Sequence, residues 1–185
     1  MARQPTARTL MKMDIIVSTP CRAWLTDLPD AVATGKNVVR LTLAQADLEC
    51  NIVEVGVTLT DNVEMRTLNR NHRRQDKPTN VLSFAVQNLD APHHAEPLLL
   101  GDIVLAHGVV LEEAQQQGKC LHDHYCHLLV HGTLHLLGHD HVEEEEAAEM
   151  EAKEVSILDG IGIADPYENS TNLSITNKLR PLGLT

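Results

Sequence analysis

The chain has 185 residues, of which 43% are apolar but only 2% aromatic, and a formal net charge of −11. That length suits one domain with a core of Leu, Val, Ile and Ala. The charge opposes non-specific attraction to nucleic acid, and so few aromatic residues (Trp24, Phe84, Tyr125, Tyr167) argue against base-stacking platforms, so any RNA contact requires a local basic patch. No apolar run is long enough to span a membrane, and the N-terminus lacks a secretory apolar region. Cys21, Cys50, Cys120 and Cys126 form no C-x-x-C pair, which points to reduced thiols and a cytoplasmic protein.

Residues 1–12 carry Arg3, Arg8 and Lys12 with no acid and read as a disordered lead-in. Residues 13–18 (MDIIVS) read as a first strand. Residues 20–46 contain one or two helices, interrupted around Pro29 and Gly35. Residues 51–60 (NIVEVGVTLT) alternate apolar and polar and are rich in Val and Thr, a strand pattern. Asp61 with Glu64 three residues on predicts a capping box for a helix running to about Arg73. Pro78 cannot continue it, so residues 76–79 read as a turn. Residues 80–85 form a short strand, 87–97 a loop, and 98–106 (LLLGDIVLA) a buried strand. Helices follow over about 108–117 and 121–137, and a last one begins after His141 with Glu143 to Glu146 in its first turn, where acids favour the helix dipole. Residues 168–185 read as a loose tail. There is no internal repeat and no second-domain boundary, so residues 13–167 are expected to form the domain.

The most specific pattern is HGTLHLLGHDH, from His131 to His141. His131 and His135 are one helical turn apart and project from one face. His141 would lie roughly 240° round the axis and about 9 Å along it if the helix continued. Gly138 stands where a helix C-terminus takes a left-handed residue, so the chain can stop there and bring His141 back. Three histidines so arranged predict one Zn²⁺ with an open fourth position. The spacing is that of the metzincin proteases, H-E-x-x-H-x-x-G-x-x-H, except that Gly132 replaces the glutamate that serves them as general base.

Arg66, Arg70, Arg73 and Lys77 follow i, i+4, i+7, i+11, one helix face if the helix lasts that long. The stripe reads either as a phosphate-binding surface or as a solvated face paired with neighbours such as Glu64.

Taken together, LNRNHRRQDKPTNVLSFA (68–85), LGDIVLA (100–106) and LLVHGTLHLLGHDH (128–141) resemble the YbeY family of bacterial zinc-dependent endoribonucleases of rRNA maturation. The resemblance covers roughly residues 13–163. It implies a single α+β domain, a small mixed sheet of about four strands packed with about five helices, including a metzincin-like metal helix. It also implies zinc ligands at His131, His135 and His141 and an essential arginine at Arg73. The expected function is single-strand-specific cleavage in 16S rRNA 3′-end maturation and small-subunit quality control. The expected partners are ribosomal RNA, the small ribosomal subunit and ribosome-associated proteins, in the cytoplasm and away from membranes. The alternatives are a zinc peptidase or amide hydrolase of metzincin-like geometry, and a ribosome-assembly factor in which zinc only fixes the fold.

The chain departs from the usual family pattern at His72 and His139, commonly aromatic, at Ala85, commonly Pro, and at His127, usually apolar. Zinc lowers the pKa of bound water and polarises a phosphoryl oxygen, and a guanidinium stabilises charge at phosphorus. Arg73 is therefore assigned to the phosphate. His139, Asp140 and Asp102 are candidate bases, with Asp140 equally suited to orienting a ligand imidazole and Asp102 to a structural role. His127, Cys120 and Cys126 are expected to serve in packing.

Overall fold

The computed structural model describes residues 11–48, 50–86, 97–139 and 143–168. Four strands form one mixed sheet in the order β1-β2-β4-β3. β1 (Lys12–Ser18), β2 (Ile52–Thr60) and β4 (Leu98–Ala106) run parallel, and β3 (Val81–Ala85) pairs antiparallel with β4 at one edge. Parallel neighbours require long crossovers. Between β1 and β2 the chain forms α1 (Ala23–Asp27) and α2 (Ala31–Leu43), and between β2 and β3 it forms α3 (Asn62–Arg73). After β4 come α4 (His107–Gln116), α5 (Leu121–Leu136) and α6 (Glu144–Asp159). The architecture is the expected α+β one, with six helices in place of about five. Residues 20–46 take the two-helix option, with α1 the short one.

Pro29 separates α1 from α2 as anticipated, but Gly35 does not interrupt α2. It lies buried inside that helix, and a Cβ there would sit 2.6 Å from the Tyr125 hydroxyl of α5. The close approach lets that hydroxyl donate to the Ala31 carbonyl at 2.9 Å. Packing, not helix punctuation, explains this glycine. Tyr125 also meets Trp24, with ring centroids 5.1 Å apart, and Trp24 donates its indole N–H to the Thr60 carbonyl at 3.1 Å. Around these two aromatics the core is almost entirely aliphatic.

The two faces of the sheet have different partners. Ile103 and Ser83 lie against α5 at Gly132. Leu82 and Val104, one residue away on each strand, join Met65 of α3 in a smaller cluster on the opposite face. In α3, Asp61 Oδ1 accepts the N–H groups of Val63 and Glu64 at 3.0 and 2.9 Å, the predicted N-cap. The helix ends at Arg73, and Arg74 takes φ 59°, a left-handed conformation uncommon for a non-glycine residue. Buried Asn69 then donates its Nδ2 to the Lys77 carbonyl at 2.7 Å and fixes the following turn. Lys77 is therefore beyond the helix, and the basic stripe stops at Arg73. Residues 1–10 and 169–185, most of the expected lead-in and tail, lie outside the described residues.

Candidate metal centre

The i, i+4 pair on α5 brings two imidazoles together. The Nε2 atoms of His131 and His135 lie 3.1 Å apart, with the ring planes at 85°. Each opposite ring nitrogen faces an acceptor. His131 Nδ1 is 2.8 Å from Glu154 Oε1, and His135 Nδ1 is 3.0 Å from the His139 carbonyl. Neither a carbonyl nor an ionised carboxylate supplies a proton, so in the neutral rings both Nδ1 atoms carry the hydrogen. Both Nε2 atoms then present lone pairs to the same small space, a donor set suited to a divalent transition cation.

The helix end contributes directly. Gly138 takes φ 87°, its N–H bonds the His135 carbonyl at 3.0 Å, and the N–H of His139 bonds the Leu134 carbonyl at 3.0 Å. This is a Schellman pattern, and it falls at the glycine where the helix was expected to stop in a left-handed residue. It reverses the chain and turns the His139 carbonyl back onto His135. His141, the expected third ligand, and Asp140 lie outside the described residues. Among the described residues no three His, Cys, Asp or Glu side chains are grouped to hold a metal.

Glu154 of α6 was not singled out from sequence. It is 1% exposed, and its Oε1 faces His131 while its Oε2 receives His127 Nε2 at 2.8 Å and the Tyr167 hydroxyl. Burial pushes its pKa up, but the hydrogen bonds from His127, His131 and Tyr167 outweigh that and hold it at about 2. Burial and the adjacent carboxylate raise the Tyr167 hydroxyl, which stays protonated as a donor. The sequence did hold a signal: Met150, Glu154, Ile157 and Leu158 form the buried stripe of α6, so this acid occupies a core position in an otherwise acidic, solvated helix.

His131 also borders a cleft of about 510 Å³ whose walls include Asn80, Glu113, Lys119, His124 and Tyr167. Glu113 Oε2 accepts from both Asn80 Nδ2 at 3.0 Å and His124 Nε2 at 2.8 Å. Other candidates are placed elsewhere. Asp102 is exposed on the α3 face of the sheet, opposite Phe84 and over Gly56, away from the face that meets α5. The His139 ring lies 3.2 Å from Lys153 Nζ; burial, then the lysine charge, lowers its pKa. Cys126 is buried and its thiol is pushed up to about 12 by burial, so it is neither a ready ligand nor a nucleophile.

The basic segment divides in two. Arg66 forms a two-pronged pair with Asp76 at 2.9 and 2.7 Å, and Arg70 lies 3.9 Å from the same carboxylate. The counter-charge is Asp76, not Glu64. Arg73, in the exposed last turn of α3, has no ion pair among the described residues.

A family model described as Endoribonuclease YbeY matches residues 26–162. The chain belongs to the YbeY family. It is 48% identical over 157 residues to Endoribonuclease YbeY of Paramagnetospirillum magneticum, covering 84% of this chain and 96% of that one. It is 44% identical over 158 residues to Endoribonuclease YbeY of Azorhizobium caulinodans, covering 85% and 96%. The fold is similar to the solution structure of TM1509 from Thermotoga maritima, with a TM-score of 0.50 at 22% identity over 94% of this chain and 99% of the other.

Within this YbeY-family fold, the metzincin-like spacing has a different surrounding. A Cβ on Gly132 would lie 2.9 Å from Ile103 Cγ2 and 3.0 Å from Ser83 Oγ, and the Ser83 hydroxyl donates to the Gly132 carbonyl at 3.2 Å. α5 sits too close to β3 and β4 here for a glutamate. Two of the family departures also gain a setting. His72 makes an edge contact with Phe84 at 4.8 Å, a ring-on-ring role that an imidazole can fill, and His127 is a hydrogen-bonded member of the Glu154 group.

Proposed function

We propose that this chain is a zinc-dependent endoribonuclease that cuts single-stranded rRNA, in 16S 3′-end maturation and small-subunit quality control. One observation carries the metal reading: two Nε2 atoms 3.1 Å apart, each with its Nδ1 held by an acceptor. His131, His135 and His141 would hold one Zn²⁺. When bound, that ion supplies an activated water or a polarised phosphoryl oxygen. Glu154 Oε1 faces Nδ1 of His131, and the His139 carbonyl faces Nδ1 of His135. Arg73, exposed in the last turn of α3 and in no ion pair among the described residues, binds the phosphate and stabilises charge developing on it. The pairing of Arg66 and Arg70 with Asp76 reduces their share in RNA attraction and leaves Arg73, Arg74 and Lys77 as the remaining local cations among the described residues. RNA, the small ribosomal subunit and its associated proteins are the partners in this reading, and the cytoplasm its location. No helix among the described residues is long and apolar enough to cross a membrane.

The family's endoribonuclease activity favours RNA as substrate, and the packing at Gly132 opposes the peptidase alternative, which lacks its base. The test uses one purified sample, assayed for metal content and for cleavage of single-stranded rRNA fragments and of peptides. Wild type should carry stoichiometric zinc and cut RNA only. His135→Ala should lose both zinc and cleavage. Peptide cleavage without RNA cleavage would reverse the assignment, and full metal content in His135→Ala would remove the ligand set.

A further inference from the structure

The strongest chemistry outside the expected ligand set is the carboxylate of Glu154. It lies on the apolar stripe of α6, where a leucine would bury without the desolvation cost of an anion. Its two oxygens divide their partners. Oε2 takes His127 Nε2 at 2.8 Å and the Tyr167 hydroxyl, while His131 Nδ1 reaches Oε1 at 2.8 Å. Two donors from separate elements, α5 and the 165–167 turn, stop the carboxylate from rotating. That turn is shaped by Asp165 Oδ1, which accepts the Tyr167 N–H at 2.7 Å, and tied down by Lys119, whose Nζ donates to the Pro166 carbonyl at 2.7 Å. What remains is one fixed acceptor aimed at one ring of the histidine pair. The second ring needs no side chain for this purpose, because the His139 carbonyl fills the same place for His135.

We infer that Glu154, clamped by Tyr167 and His127, is a positioning residue that fixes the Nδ1–H tautomer and ring angle of His131, so that its Nε2 lone pair is ready for a cation. The inference rests on the metal reading above. An ionised partner on the far ring nitrogen also makes the near nitrogen a stronger donor, and losing such a partner typically weakens metal binding about 10–100-fold. A side chain that only filled space would affect neither the tautomer nor the affinity once packing was kept.

The test uses the full chain in three forms: wild type, Glu154→Gln and Tyr167→Phe. Imidazole ¹⁵N shifts of the metal-free proteins report which ring nitrogen bears hydrogen, and competition with a chromogenic chelator reports zinc affinity. Wild-type His131 should show hydrogen on Nδ1. Glu154→Gln, nearly equal in volume, should show a mixed tautomer and zinc binding weaker by about 10-fold or more. Tyr167→Phe, which leaves His131 untouched but removes one of the two clamps on the carboxylate, should fall between the two. Hydrogen on Nε2 of wild-type His131 overturns the inference whether or not either variant folds. So does a folded Glu154→Gln with wild-type affinity and tautomer. If wild type binds no zinc, the metal reading falls, and the ¹⁵N result still decides whether Glu154 sets the tautomer.

Discussion

Gly132 offers the sharpest test of how this site differs from a metzincin protease. Two substitutions bear on it. Gly132→Ala adds one methyl, 2.9 Å from Ile103 Cγ2 and 3.0 Å from Ser83 Oγ. Alanine improves helix propensity by about 1 kcal/mol, while overpacking a core costs about 1–3 kcal/mol, leaving a net loss of about 1 kcal/mol. Ile103 is a fully buried β-branched residue on an inner strand and cannot swing aside. Gly132→Glu restores the protease motif letter for letter, but directs a carboxylate between α5 and the β3–β4 pair. An unpaired charge or a forced separation there should cost about 3–5 kcal/mol, a large share of the roughly 5–15 kcal/mol that holds a domain together. Urea unfolding of both variants measures this, with peptide hydrolysis assayed beside it. Gly132→Ala should lower the midpoint slightly, and Gly132→Glu should unfold at much lower urea and cleave no peptide. A Gly132→Glu protein within about 1 kcal/mol of wild type would refute the packing argument, and one that gained peptidase activity would show that only the missing base separates the two chemistries.

Other outcomes can be checked alongside. Arg73→Ala should cut RNA on the order of 10²-fold more slowly while zinc content and urea midpoint stay near wild type, because an exposed, unpaired arginine contributes little stability; loss of zinc with normal cleavage would reverse its role. Gly138→Val should strain the backbone by roughly 1–2 kcal/mol at φ 87° and weaken zinc binding without touching a ligand atom, as equilibrium dialysis would show. Glu113 is held below its ordinary carboxylate range: burial opposes this, but hydrogen bonds from His124 and Asn80 prevail. A depressed carboxylate stabilises the fold above its unfolded pKa and stops doing so as pH falls through the folded one. The gap in urea midpoint between wild type and Glu113→Gln should therefore be full at about pH 6 and close progressively below the ordinary value of 4.5; a gap that widened on acidification would contradict the assignment.

Much of this protein was legible in its sequence because the signals were local. A strand pattern, an N-cap aspartate and a glycine after an i, i+4 histidine pair each act within a turn or two of chain. Accordingly β1 to β4, the start and end of α3, and the Schellman end of α5 at Gly138 lie within a residue or two of where they were expected. The misplaced features are those set by distant partners. Gly35 looked like a helix break and is a seat for Tyr125, which lies 90 residues further on and hydrogen-bonds Ala31. Lys77 looked like a fourth basic residue of one face, until Asn69 took its carbonyl and turned the chain. Glu154 looked like one more acid in an acidic helix. Only the packing of α6 on α5 and the return of the 165–167 turn surround it with His127, His131 and Tyr167, because a buried carboxylate is defined by donors that tertiary contact brings to it, and no spacing along the chain records them.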